Sequence, residues 1–136
     1  EDAGAATAAG HMGVAHALIG QMLGMEETLS RGQIFLPMSI FSAHGVEQNQ
    51  LLAKQTTPQT IAAFASLRET AGLHLTKAQE AIKSLRPEVR PVFSLYPVLN
   101  WQLQRLNNGG RNPFSAVGSM APWLKIARIL WWSLRS

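Results

Sequence analysis

Apolar side chains recur at every third or fourth position along most of the chain, and this spacing predicts helices. The clearest case begins at Thr57 and Pro58, because threonine is a favoured N-cap and proline a favoured first helical residue. We predict a helix from there to about residue 85. Its buried face should comprise Ile61, Phe64, Leu67, Ala71, Leu75, Ala78, Ile82 and Leu85. No run of alternating apolar and polar residues competes with this pattern, so the predicted fold class is all-α.

Further helices are predicted on both sides of this one. An alanine- and glycine-rich helix should cover residues 5–23, a short helix should cover 38–43 and end before Gly45, and a helical turn or loop should follow in 46–54. A helix from Pro87 to about residue 106 should be kinked at Pro97. Residues 107–110, Asn-Asn-Gly-Gly, then end the helical pattern.

The last predicted helix begins at Pro122 and covers residues 123–134. Its packed face should comprise Trp123, Ile126, Ala127, Leu130, Trp131 and Leu134. That assignment leaves Trp132 outside the packed face. Because the tryptophan pair lies near Arg128 and Arg135, a peripheral contact of this helix with a membrane surface is a further hypothesis.

The composition mainly excludes classes of protein. With 136 residues the chain can form one domain with a core, and its charged fraction of 15% is low. The formal net charge is +4, but the lysines and arginines are scattered, so nucleic-acid binding is not indicated. The absence of cysteine excludes disulfides, thiolate metal sites and a cysteine nucleophile. No apolar run approaches the roughly 20 residues that span a bilayer.

A more specific signal lies in residues 9–37, AGHMGVAHALIGQMLGMEETLSRGQIFLP. This segment resembles the second metal-binding region of the squalene/phytoene synthases, where a helix carries a DxxxD motif just before Arg-Gly, an aromatic residue and Leu-Pro. Arg31-Gly32 and Phe35-Leu36-Pro37 match that ending. Residues 38–46, 91–114 and the final tryptophan-rich helix are similar to the family in order and spacing.

The resemblance implies the C-terminal half of the isoprenoid synthase helical fold. Residues 1–136 would then be a single partial domain, and the N-terminal half with the first aspartate-rich motif would be absent. The chain has no initiator Met and no signal-peptide pattern, so we expect it to come from the middle of a longer protein. A half-domain with few charges should expose an apolar face, and we expect it to self-associate when expressed alone.

The same segment departs from the family where metal ligands are expected. Counting back from the Arg-Gly pair, the two family aspartates fall on Gly24 and Thr28, and the family's Gln and Asn fall on Ala17 and Gly20. Mg²⁺ prefers carboxylate oxygens, and aspartates at i and i+4 share a helix face. Glycine offers no ligand and threonine only a neutral hydroxyl, so no metal ligand and no cofactor are expected in this half.

Acidic residues elsewhere do not replace the missing pair. The chain's one aspartate is Asp2. Glu26 and Glu27 lie near the motif, but neither has an acidic partner four residues away. We expect both to be solvated near the helix end.

These departures imply a catalytically degenerate member of the family, a pseudoenzyme. The chain resembles a branch that includes bacterial homologues and a mitochondrial relative associated with assembly of respiratory complex I. The resemblance implies an assembly or scaffold role with a protein partner in respiratory complex assembly, or the binding of an isoprenoid-like ligand in the old cavity. The location would be the bacterial cytoplasm, with or without membrane association, or the mitochondrial matrix in a eukaryote.

The alternative is an active head-to-head prenyl diphosphate transferase of isoprenoid biosynthesis. It would need Mg²⁺, held by a first DxxxD motif in the missing N-terminal half. In either case the resemblance implies Arg31 and Lys125 as diphosphate-binding residues and no catalytic residue in this half. Each also has an alternative structural role: Arg31 would satisfy the carbonyls at a helix C-terminus, and Lys125 would be a solvated charge.

Histidines and methionines give weaker signals. His11 and His16 are five residues apart, which does not bring two ligands together on one helix, and His44 and His74 are isolated in sequence. A zinc site is therefore not predicted. The methionines at 12, 22, 25 and 38 would either line a prenyl channel or take part in ordinary helix packing.

Overall fold

The computed structural model describes residues 3–108, 113–114 and 122–135. Its helices are α1 (Ala3–Ser30), α2 (Met38–Ala43), α3 (Gln48–Leu52), α4 (Pro58–Lys83), α5 (Tyr96–Asn107) and α6 (Pro122–Arg135), with a 3₁₀ turn at Arg90–Phe93. No strand occurs in these described ranges. The all-α prediction is confirmed.

Two long helices, α1 and α4, form the centre of the molecule and pack along their length. The buried side of α1 repeats every three or four residues and consists of Ala8, Met12, Ala15, Ile19, Met22, Met25 and Leu29. The methionines predicted either to pack or to line a channel are thus core residues at positions 12, 22 and 25, while Met38 packs partly buried against the same core. Small and flexible side chains let the two helices approach closely and fill the space between them.

The predicted face of α4 is right at every position but one. Phe64, Leu67, Ala71, Leu75, Ala78, Ile82 and Leu85 are buried. Ile61 is 39% exposed, and Thr60 is fully buried instead. The threonine tolerates burial because its hydroxyl bonds the Thr57 hydroxyl at 2.9 Å, while Thr57 Oγ1 also accepts the Thr60 backbone N–H and caps the helix.

The first helix is longer than predicted. It passes residue 23 and continues to Ser30, because Met25 and Leu29 extend the same buried stripe. It ends where Gly32 takes a positive φ of 75°. The Gly32 N–H donates to the Leu29 carbonyl and the Gln33 N–H to the Thr28 carbonyl, a Schellman ending that satisfies the last carbonyls of the helix.

The short helices close one end of the core. The prediction for residues 38–43 is confirmed by α2, and α3 lies in the segment predicted as a helical turn or loop. Phe41 of α2 packs edge-on against Phe64 of α4 with ring centroids 5.0 Å apart, and Phe114 also packs edge-on with Phe64 at 5.4 Å. These aromatic contacts hold the chain after α1 against α4.

The predicted helix from Pro87 to about residue 106 is right only in its second half, and the predicted kink at Pro97 is wrong. The chain instead forms the 3₁₀ turn and starts a new helix, α5, at Tyr96. Pro97 therefore lies in the first turn of α5. A proline there disturbs nothing, because the first N–H groups of a helix have no intrahelical acceptor.

The predicted packed face of α6 is also wrong. Ile126, Leu130, Trp131 and Leu134 are 59%, 58%, 63% and 83% exposed. Trp132, predicted to lie outside the packed face, is partly buried against the core. The side chain of Trp123 lies outside the described residues. The apolar spacing selects the side of α6 that carries Ile126, Leu130 and Leu134, but the helix packs through the side that carries Trp132, so spacing alone does not tell which side meets α5. No helix in the described ranges is both long enough and apolar enough to cross a membrane.

Candidate functional site

An open groove runs along the side of α1 that faces away from α4. It has a volume of about 450 Å³ and is lined by Gly13, His16, Ala17, Gly20, Gln21, Gly24, Thr28 and Phe35. The four positions predicted to correspond to the lost polar ligands, Ala17, Gly20, Gly24 and Thr28, are all in this lining. The structure therefore brings them together, as their spacing of three and four residues along one helix requires.

No steric contact within the described chain explains the glycines of the groove. A Cβ added at Gly13, Gly20 or Gly24 would meet no atom within 4 Å. Each glycine in a helix interior costs about 1 kcal/mol relative to alanine. The groove is thus open because its side chains are small, and the small side chains are not required by the packing of α1 on α4.

The polar atoms of the groove do not form a site for Mg²⁺. None of the lining residues has a carboxylate. The Thr28 hydroxyl donates to the Met25 carbonyl at 3.2 Å and offers only a neutral oxygen. Gln21 contributes a side-chain oxygen that is buried and has no hydrogen-bond partner in the described structure. Mg²⁺ requires a near-octahedral set of oxygens with carboxylates among them, so the donors present do not fit this ion.

Gln21 was not singled out by the sequence analysis. Its position four residues after Ala17 and three before Gly24 is the one signal that would have indicated it, because residues three and four apart share a side of a helix. Phe35, which is 58% exposed, forms the edge of the groove just beyond the end of α1.

Arg31 lies outside this groove lining. Its Nη2 donates to Glu27 Oε1 at 2.6 Å, and the two side chains are 65% and 70% exposed. Such an i, i+4 pair at the surface contributes only about 0.3–0.5 kcal/mol. The guanidinium is therefore held by a neighbouring carboxylate rather than by the helix-end carbonyls, and diphosphate binding by Arg31 stays a prediction. Glu26 is exposed, as expected.

Lys125 belongs to α6 by its backbone. Its side chain lies outside the described residues, so its predicted contact with a diphosphate also stays a prediction.

His74 is isolated in sequence but has a partner in the fold. Its Nδ1 lies 2.9 Å from Nδ1 of His11, with ring centroids 5.1 Å apart, and the pair joins α4 to α1. Burial, followed by the charges of His11 and Lys77, lowers the pKa of His74. The described residues contain no group of three or more His, Cys, Asp or Glu side chains able to hold a metal ion.

A second groove lies where α6 meets α4 and α5. Its volume is about 690 Å³, and it is lined by Gln79, Lys83, Pro97, Ala127, Arg128, Trp131 and Trp132. The Nε of Arg128 is buried and has no hydrogen-bond partner in the described structure. The guanidinium carbons of Arg105 and Arg128 lie 5.4 and 5.7 Å from the ring centroid of Trp101. Two cations therefore share one aromatic ring beside this groove.

Comparison with known proteins adds two findings. The family model of squalene/phytoene synthase matches residues 1–126. A curated relative, NADH dehydrogenase (ubiquinone) complex I, assembly factor 6, from Mus musculus, is 30% identical over 86 residues, which are 63% of this chain and 26% of that protein. The chain thus spans about a quarter of the length of this relative. No solved structure matches the chain.

Proposed function

This chain belongs to the squalene/phytoene synthase family, and we propose that it is a non-catalytic member whose function is binding. The observation that carries the proposal is the groove on α1. The positions that correspond to the family's second metal motif lie together in it, and none of them supplies a carboxylate.

The chemistry of the family explains why this matters. Ionisation of a prenyl diphosphate develops charge on the leaving group, and Mg²⁺ bound by aspartates takes up that charge. Gly24 has no side-chain oxygen, and Thr28 has only a neutral hydroxyl, which donates to the Met25 carbonyl. We therefore assign no catalytic step to these residues.

The binding role that we propose is assembly of a respiratory complex through a protein partner. The support is the relative from Mus musculus, which is named as an assembly factor of complex I. Because this chain covers only 26% of that protein, the transfer of its role to this chain is part of the proposal. The groove of about 450 Å³ also falls within the range of small-ligand sites, so an isoprenoid-like ligand is a second candidate occupant.

Turnover by the full-length protein tests the proposal. The protein is incubated with farnesyl or geranylgeranyl diphosphate and Mg²⁺, and pyrophosphate release and prenyl product are measured together. We expect neither from protein shown to be folded by circular dichroism. Product that forms with Mg²⁺ and is lost on chelation would overturn the proposal and favour the alternative, an active prenyl diphosphate transferase that uses a first DxxxD motif in the N-terminal half.

A second arm tests the metal chemistry directly. The variant Gly24→Asp/Thr28→Asp restores two carboxylates on one side of α1, and the open space at Gly24 accepts the new side chain. Isothermal titration calorimetry should detect Mg²⁺ binding in this variant and none in the wild type. The matched variant Gly24→Asn/Thr28→Asn, which has similar shape without charge, should behave as the wild type. Wild-type binding as strong as that of the aspartate variant would contradict the assignment.

A further inference from the structure

We propose that α6 and the groove beside it form a docking surface for an anionic phospholipid bilayer. The proposal rests on the exposed face of α6, on the cationic groups next to it and on their lack of acidic partners. It does not depend on whether the protein is catalytic.

The first observation is the apolar face that α6 leaves exposed. Ile126, Leu130, Trp131 and Leu134 are each more than half exposed. On a helix of 3.6 residues per turn, these four side chains fall within an arc of about 140°. A single exposed leucine needs no explanation, but a contiguous apolar face that includes a tryptophan indicates a binding surface.

The second observation is the placement of the cations. Arg128 lies beside the apolar arc, adjacent to Trp131 around the helix, and it reaches into the second groove. Lys83, from the last turn of α4, lines the same groove. Among the described residues, no acceptor bonds the buried Nε of Arg128. A phosphate oxygen is the acceptor that a guanidinium and an ammonium group bind together.

The third observation is the absence of compensating acids. No Asp or Glu occurs in residues 122–135. Within the described part of the chain, the one ion pair joins Arg31 to Glu27, so none of Lys83, Arg105 and Arg128 has a carboxylate within 4 Å. Arg105 and Arg128 even share the ring of Trp101, which concentrates positive charge on one side of α6.

A bilayer surface matches this arrangement better than a dissolved anion does. A phosphate ion would engage the cations and leave the apolar face in water. An anionic leaflet offers phosphates to the groove and acyl chains to the apolar arc at the same time, and tryptophan is favoured at that boundary. The 14-residue helix is too short to span the bilayer and suits a position in its interface.

The test is binding of the full chain to vesicles. Vesicles of phosphatidylcholine with phosphatidylglycerol are compared with vesicles of phosphatidylcholine alone, by flotation and by the shift of tryptophan emission to shorter wavelength. We expect binding to the anionic vesicles that weakens as salt is added, because the salt screens exposed charges. Equal binding to both vesicles, or binding to neither, would overturn the proposal.

Two double variants test whether α6 and its groove are the surface that binds vesicles. Lys83→Gln/Arg128→Gln removes the charges, and Leu130→Ser/Leu134→Ser removes apolar side chains that are already exposed and so should leave the fold intact. Each pair should weaken vesicle binding by roughly tenfold or more, since every basic residue near an anionic leaflet contributes severalfold.

Matched variants lie elsewhere on the surface. Lys77→Gln/Arg86→Gln removes the same charge, and Leu73→Ser/Val92→Ser removes two exposed apolar side chains outside α6. Both should bind as the wild type. If these control variants weaken vesicle binding as much as the α6 variants do, binding does not depend on α6 in particular, and the proposal fails. It also fails if the leucine variant abolishes a dimer seen by light scattering and leaves vesicle binding unchanged, because the face would then belong to a second copy.

Discussion

The histidine pair shows how two residues far apart in sequence act as one group. Because the two Nδ1 atoms of His11 and His74 are 2.9 Å apart, one ring must donate a proton and the other must accept it. If both rings were fully protonated, two N–H groups and two positive charges would face each other. Lys77 on α4 adds a further positive charge, and burial disfavours the charged ring. These effects together lower the pKa of His74.

The lowered pKa gives a defined pH dependence of stability. Between the folded pKa and the unfolded value of about 6.5, the unfolded chain binds the proton and the folded chain does not, so stability falls as the pH falls. We expect the free energy of unfolding from urea titrations to be smaller at about pH 5.5 than at about pH 7.5, and His74→Gln to reduce this difference. The exposed His16→Gln serves as control and should keep it. An unchanged difference in the His74 variant would contradict the account.

Two glycines of the α1 region should respond to substitution in opposite directions. Gly20→Ala should raise the free energy of unfolding by up to about 1 kcal/mol, because the residue is helical and its Cβ would meet no neighbour. Gly32→Ala should lower it by about 1–2 kcal/mol, since the positive φ of 75° disfavours any side chain. Thermal and urea unfolding measure both. A loss of stability in Gly20→Ala would show that the groove has a steric role that the described contacts do not include.

At the scale of elements, α6 is the helix for which the sequence predicts the wrong buried side. It packs on α5 through the side that carries Trp132 and leaves the leucine-rich side exposed. The two sides of α6 therefore contribute differently to stability and to binding. The buried side stabilises the fold, and the exposed side is available for binding.

Stability measurements on α6 variants test this assignment. Trp132→Ala should lower the free energy of unfolding by roughly 1–3 kcal/mol, less than the roughly 3–5 kcal/mol of a fully buried aromatic, because the ring is only partly buried. Leu130→Ser should change it by less than about 0.5 kcal/mol, as is usual for exposed positions. A larger decrease in the free energy of unfolding for Leu130→Ser than for Trp132→Ala would favour the buried face predicted from sequence.

On the scale of the whole molecule, the two grooves lie on different helices and serve separate proposals. The groove on α1 bears on whether the protein is an enzyme, and the groove beside α6 bears on where the protein binds. Substitutions in one leave the lining of the other unchanged, because no residue lines both. The turnover and vesicle experiments are therefore independent, and each can fail without affecting the other. Self-association of the isolated chain stays a prediction.

The sequence by itself determined the helical class, the ends of α2 and α4, and the grouping of Ala17, Gly20, Gly24 and Thr28. These features depend on local signals: apolar period, proline and glycine at helix ends, and spacing along one helix. The family resemblance also followed from a contiguous motif, and the match over residues 1–126 confirms it.

Only the tertiary structure decided the features that depend on contacts distant in sequence. The pairing of His11 with His74 spans 63 residues, and no spacing rule reports such a contact. The choice of the buried side of α6 depends on the surface that α5 offers, because the more apolar side of the helix is the one left exposed. The groove that joins Lys83 to Arg128 likewise arises from two helices that meet only in the folded chain.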